Sequence, residues 1–91
     1  MKKVRVRILI DGRLQAMNFR FNAQREANKL GLVGFIRNLS DGRIEIEAQG
    51  PEDKVQKILD WCQEEPHGRQ IHNILFRYDE PVNRYADFSV R

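Results

Sequence analysis

The sequence predicts a two-layer α+β sandwich: an antiparallel sheet with two helices on one face. Three observations carry this. Two stretches alternate between an apolar and a mainly polar face, two others repeat their apolar residues at helical spacing, and the elements follow one another as βαββαβ plus a short strand. Each helix has one apolar stripe, and both stripes can be buried only if both helices cover the same sheet face.

Val4, Val6, Ile8 and Ile10 alternate with Lys3, Arg5, Arg7 and Leu9, the pattern of a half-buried strand. After a short loop, Phe19, Ala23, Ala27 and Leu30 recur at helical spacing, and Gly31 stands where a C-cap glycine belongs. Gly34 to Leu39 reads as a second strand. Ser40-Asp41-Gly42 is turn chemistry, and Ile44, Ile46 and Ala48 then alternate with Arg43, Glu45 and Glu47 in a third strand, closing a hairpin. Pro51-Glu52-Asp53 opens a second helix, with proline in its first turn and acids near the positive end of the dipole. Its apolar face is Val55, Ile58, Leu59 and Cys62, and Pro66-His67-Gly68 breaks it. Ile71 to Tyr78 is a fourth strand whose apolar phase changes between Ile71 and Ile74, which points to a bulge. A loop from Glu80-Pro81 to Tyr85 leads to a short fifth strand, Phe88 to Val90. This order is the split-βαβ, ferredoxin-like topology, in which the first and third strands are central and the strand order is 4-1-3-2.

Ninety-one residues make a single domain, 1–91, with no room for a second core. Composition is globular, 41% hydrophobic and 32% charged, which argues against disorder. No apolar run reaches the ~20 residues needed to span a membrane, and the N-terminus lacks the apolar core of a signal peptide. One cysteine, Cys62, excludes an internal disulfide, so a cytoplasmic protein is expected. The net charge is +3, which suits anionic ligands, but the charges are interleaved and form no nucleic-acid tail. A monomer is the default expectation.

Most catalytic chemistry is missing. His67 and His72 are not at metal-ligand spacing from each other or from Cys62. They read as surface or packing residues, and Cys62 as a buried thiol on its helix's core face. No glycine-rich nucleotide-binding loop occurs. Asp11 and Asp41 fall in turns and Glu45 and Glu47 on a strand's outer face, a poor basis for paired-carboxylate catalysis. No metal or cofactor is implied. A ferredoxin-like nucleic-acid binder is disfavoured because the third strand is acidic on its polar face and lacks exposed aromatics. What remains is Asp11 to Gln24, DGRLQAMNFRFNAQ. A loop entering a helix N-terminus aims successive N–H groups at one point and binds anions. Arg20 is placed to close that cradle with two parallel hydrogen bonds to a phosphate. The alternative is a solvated Arg20 paired with an acid such as Glu26.

Here the residues resemble a family. Gly12-Arg13-Leu14-Gln15-Ala16-Met17-Asn18-Phe19-Arg20 is similar to the acylphosphatase signature Gly-x-Val-Gln-Gly-Val-x-Phe-Arg. Gly34-Phe35-Ile36-Arg37-Asn38-Leu39-Ser40-Asp41-Gly42 is similar to the family's second segment, Gly-x-Val-x-Asn-x-x-Asp-Gly. Leu30-Gly31-Leu32, Gly50 and Phe88 also fall at family positions, so the likeness runs from about Val4 to Val90. The resemblance implies metal-independent hydrolysis of a small-molecule acyl phosphate to a carboxylate and inorganic phosphate, without a cofactor. It implies that Gln15, Ala16, Met17, Asn18, Phe19 and Arg20 bind the phosphoryl group and that Asn38 holds the attacking water. No nucleic-acid or membrane partner is implied.

The pattern is broken at Ala16, where the family has glycine. If that position needs left-handed backbone, alanine costs roughly 1–2 kcal/mol and weakens phosphate binding. A degenerate phosphate-binding domain with little turnover is then the alternative. If the glycine serves only close packing, one methyl is tolerated. Glu65-Pro66 replaces a frequent Gly-Pro and Arg69 a frequent alanine, in a loop with less bearing on chemistry.

Overall fold

Val6, Ile8 and Ile10 are fully buried along β1 (Lys3–Gly12), while Arg5, Arg7 and Leu9 on its other face are only half-buried. The computed structural model describes residues 2–91, with Ala16 described by its backbone alone. β1 lies between β3 (Ile44–Pro51) and β4 (Ile71–Asp79), antiparallel to both, and β2 (Val33–Asn38) pairs antiparallel with β3. With β5 (Phe88–Val90) the sheet order is β4-β1-β3-β2-β5. The expected 4-1-3-2 order is present, with a fifth strand added beside β2.

Both helices cover one sheet face. α1 (Phe19–Lys29) packs on β2 and β5, and α2 (Glu52–Gln63) on β1 and β3. α1 buries Phe19, Ala23 and Ala27, and α2 buries Val55, Ile58, Leu59 and Cys62. These meet Val6, Ile8, Ile36, Ile46 and Ala48 of the sheet in one core. Each fully buried aliphatic or aromatic side chain stabilises the fold by about 1.5–3 kcal/mol. Gly31, at φ +71°, ends α1 in the left-handed conformation that a C-cap glycine serves. In β4 the pairing skips from Asn73 to Ile71, so His72 is the extra residue of the expected bulge. Neither helix is long and apolar enough to cross a membrane.

Three features differ from the sequence reading. The sheet is not antiparallel throughout: β5 runs parallel to β2, with Phe88 beside Gly34 and Val90 beside Ile36. The reason is the loop after β4, which brings the chain back along β2's free edge, where Phe88 is buried and β5 meets α1. Pro51 closes β3 and is the N-cap of α2 rather than a first-turn residue. Finally, β3 is buried on both faces, with Glu45 only 6% and Glu47 only 5% exposed.

Arginines and a loop roof those acids. Arg5 donates to Glu47 at 2.9 Å, Arg37 donates to Glu45 at 2.6 Å, and Arg7 lies within 3.5 Å of both. From the loop, the Tyr85 hydroxyl donates to Glu47. Gln49 accepts from Val82 N–H at 2.8 Å and donates to Val82 O at 2.9 Å, as a neighbouring strand would. Burial alone would push the Glu47 carboxyl up, but the bonds from Tyr85 and Arg5 and the charges of Arg5 and Arg7 outweigh it. The net result lies below the ordinary carboxylate value.

Candidate active site

β1 ends against another part of the chain. A Cβ at Gly12 would sit 2.4 Å from Gln70 O, and the Arg13 N–H donates to that same oxygen at 2.9 Å. Only glycine allows this approach, and it fixes the start of the loop. Leu14, fully buried, anchors the loop to the core. A 3-10 turn, Gln15–Met17, follows, with Met17 N–H donating to Leu14 O at 3.1 Å and Asn18 N–H to Gln15 O at 3.3 Å. Asn18 then takes a left-handed conformation, φ 53° and ψ 39°, which asparagine tolerates better than most residues.

From Asn18 the helix starts. Its carbonyl accepts the Asn22 N–H at 3.1 Å, and Asn22 Nδ2 donates back to Met17 O at 3.1 Å. The N–H groups of a first helical turn lack intrahelical acceptors and point out of the N-terminus. Together with the helix dipole they favour an anion there.

Phe19 and Arg20 go opposite ways. Phe19 is 1% exposed, stacked on Trp61 with ring centroids 5.3 Å apart and edge-on to His67 at 5.2 Å. His67 Nδ1 lies 3.2 Å from Trp61 O. A carbonyl only accepts, so this nitrogen carries a proton. His67 is thus a packing residue behind the loop, and His72 is exposed in the bulge. Arg20 is partly exposed, and its Nη1 donates to the main-chain oxygen of Arg91 at 3.3 Å. Glu26, the alternative partner read from the sequence, instead lies 3.5 Å from Lys29 Nζ.

Asn38 arrives from the sheet. It is the exposed last residue of β2, opposite Ile44. The turn beyond it is closed by Leu39 N–H to Arg43 O at 2.7 Å and by Arg43 N–H to Asp41 Oδ1 at 3.0 Å. That last bond, chiefly, holds the Asp41 carboxyl below its ordinary value.

The two elements meet at a concavity of about 60 Å³ lined by Leu14, Gln15, Asn18, Phe19, Arg20, Phe21, Asn38 and Ile44. Arg20 is the one charged side chain among these. The fold therefore brings Gln15, Asn18, Phe19, Arg20 and Asn38 together. Met17 is not among them: its side chain packs against the core, and its N–H, like that of Asn18, is already bonded within the turn. Ala16 is the middle residue of that 3-10 turn, whose standard backbone has negative φ, and the left-handed non-glycine backbone among the described residues is that of Asn18. The sequence marked His67 as a surface or packing residue, and packing is its role here; it did not single out Trp61 behind the loop or Phe21 in the cavity lining. Phe21 left one signal, an apolar residue off the helical stripe. Cys62 plays no part: burial pushes its thiol up to about 12.

The chain matches the acylphosphatase family model over residues 6–90. It is 34% identical over 90 residues to an acylphosphatase of Roseiflexus sp. (strain RS-1), covering 99% of this chain and 97% of the relative. The crystal structure of acylphosphatase from Bacillus subtilis superposes with a TM-score of 0.85 at 31% identity, covering 97% of this chain and 98% of that one. An acylphosphatase from Coxiella burnetii gives a TM-score of 0.85 at 29% identity, over 98% and 93% of the two chains. On these grounds, and on two linked motifs at one concavity, the chain belongs to the acylphosphatase family.

Proposed function

We propose that this chain hydrolyses acyl phosphates, carboxyl-phosphate anhydrides, to a carboxylate and inorganic phosphate, without metal or cofactor. The observation that carries the reading is the convergence of Arg20, from a helix N-terminus, and Asn38, from a strand end, on one small concavity. Arg20 and main-chain N–H groups of the loop and first helical turn take the phosphoryl oxygens, Arg20 through two parallel N–H···O bonds. Asn38 orients the water. The water oxygen attacks phosphorus, the bond from phosphorus to the acyl oxygen breaks, and its electron pair leaves with the carboxylate. The water proton passes to a phosphoryl oxygen, giving dihydrogen phosphate.

The chemistry suits a sparse site. The leaving carboxylate has a conjugate acid of pKa about 4, so it departs without a general acid. A loose phosphoryl-transfer transition state asks mainly for positioning and charge stabilisation. We place the protein in the cytoplasm as a monomer acting on a small molecule. The roofed, acidic polar face of β3 leaves no open aromatic platform for a nucleic acid there.

Two variants divide the roles. Arg20→Ala is expected to abolish both turnover of benzoyl phosphate and competitive inhibition by phosphate. Asn38→Ala is expected to lower kcat by about a hundredfold or more while phosphate affinity stays within a few-fold, because a water-orienting group acts in the transition state. Equal losses of phosphate affinity in both would show the roles to be wrongly divided.

A further inference from the structure

Among the described residues, four large apolar side chains stand well exposed: Leu75 at 56%, Phe76 at 52%, Phe21 at 50% and Tyr78 at 39%. Three of them share the edge strand β4. Phe21 stands apart from these, and it lines the phosphate-sized concavity. Packing does not account for it. α1 buries Phe19, Ala23 and Ala27, and Phe21 lies two residues on from Phe19, about 200° round the helix. In a first helical turn a long side chain leans back over the turn before it, here the loop that ends at Asn18.

The cavity is also small. Its volume is about 60 Å³, where one water needs ~10–15 Å³ of such space. A phosphoryl group fills it, so the acyl group of a bound substrate lies outside, at the lip. The apolar surface available there is the Phe21 ring, with the buried Leu14 and Ile44 beneath. We propose that Phe21 is the acyl-binding residue of the site and selects acyl phosphates with aromatic or bulky apolar acyl groups over small polar ones. This rests on the acyl-phosphate reading above. An aryl group stacks on the ring face, whereas an acetyl group offers too little surface to do so.

The test compares kcat/KM for benzoyl phosphate and acetyl phosphate in the wild type, Phe21→Ala and Phe21→Tyr, together with inhibition by phosphate. Phe21→Ala is expected to lower the benzoyl value about fivefold to tenfold, mostly through KM, the size of one aromatic contact. The acetyl value and the phosphate inhibition constant should stay within twofold, and Phe21→Tyr should retain the wild-type preference. An unchanged ratio of the two substrates in Phe21→Ala, whether both values fall together or neither falls, overturns the proposal. No turnover of either substrate by the wild type overturns the functional reading and this inference with it.

Discussion

A 3-10 turn needs no left-handed backbone, so alanine suits the middle position of the turn that holds Ala16. The motif alone leaves strain open at this position, because a family glycine serves either a positive φ or close packing. In the structure that conformation falls on Asn18, two residues later. Ala16→Gly is therefore expected to leave kcat/KM within about twofold. It should lower stability by up to ~1 kcal/mol, through the added freedom of the unfolded chain. Asn18→Ala should cost more, roughly 1–2 kcal/mol, and Asn18→Gly less. Chemical denaturation of the three variants, with kinetics on benzoyl phosphate, checks this. A tenfold faster and equally stable Ala16→Gly would return the strain to position 16. Arg20 and Asn38 were legible because each sits in a motif of fixed spacing. Phe21 was not, because its meaning depends on a cavity that only the folded chain defines.

Among the elements, β3 is where the sequence misleads. Its strict alternation reads as one wet face, since isolated glutamates prefer water. What buries Glu47 is brought from far along the chain: Arg5 from β1, 42 residues away, and Tyr85 from the loop, 38 residues away. No local pattern records such partners. The consequence is a dependence on acid. The Glu47 carboxyl lies below its ordinary 4.5 in the folded state. Its contribution to stability is therefore complete above about pH 4.5, and is lost as the pH falls toward the lowered folded value. Thermal denaturation between pH 6 and pH 3 should show Tm falling on the acid side of 4.5. In Glu47→Gln stability at pH 7 should be lower by on the order of 2 kcal/mol, and the acid decline shallower. An equally steep decline in that variant would assign the acid sensitivity to other carboxylates.

On the scale of the whole molecule, the order of strands followed from two apolar stripes needing one sheet face, and the β4-β1-β3-β2 arrangement bears this out. The direction of β5 did not follow. Three residues of alternating pattern carry no sign of parallel or antiparallel pairing, which the path of the preceding loop decides. The same closure makes Cys62 inert, fully buried on α2 with its thiol pushed up to about 12. It is expected to react with a thiol reagent only as fast as the whole fold opens, so a denaturant-free burst of labelling would contradict the packing described. The site, too, depends on the complete fold, because α1 and β2 meet only when the helices lie on the sheet. The most direct test is therefore the rate at which the intact protein hydrolyses benzoyl phosphate in the presence of excess EDTA. Saturable turnover is expected, unchanged by the chelator, competitively inhibited by phosphate and absent in Arg20→Ala. A rate no higher than spontaneous hydrolysis, or one that EDTA removes, would contradict it.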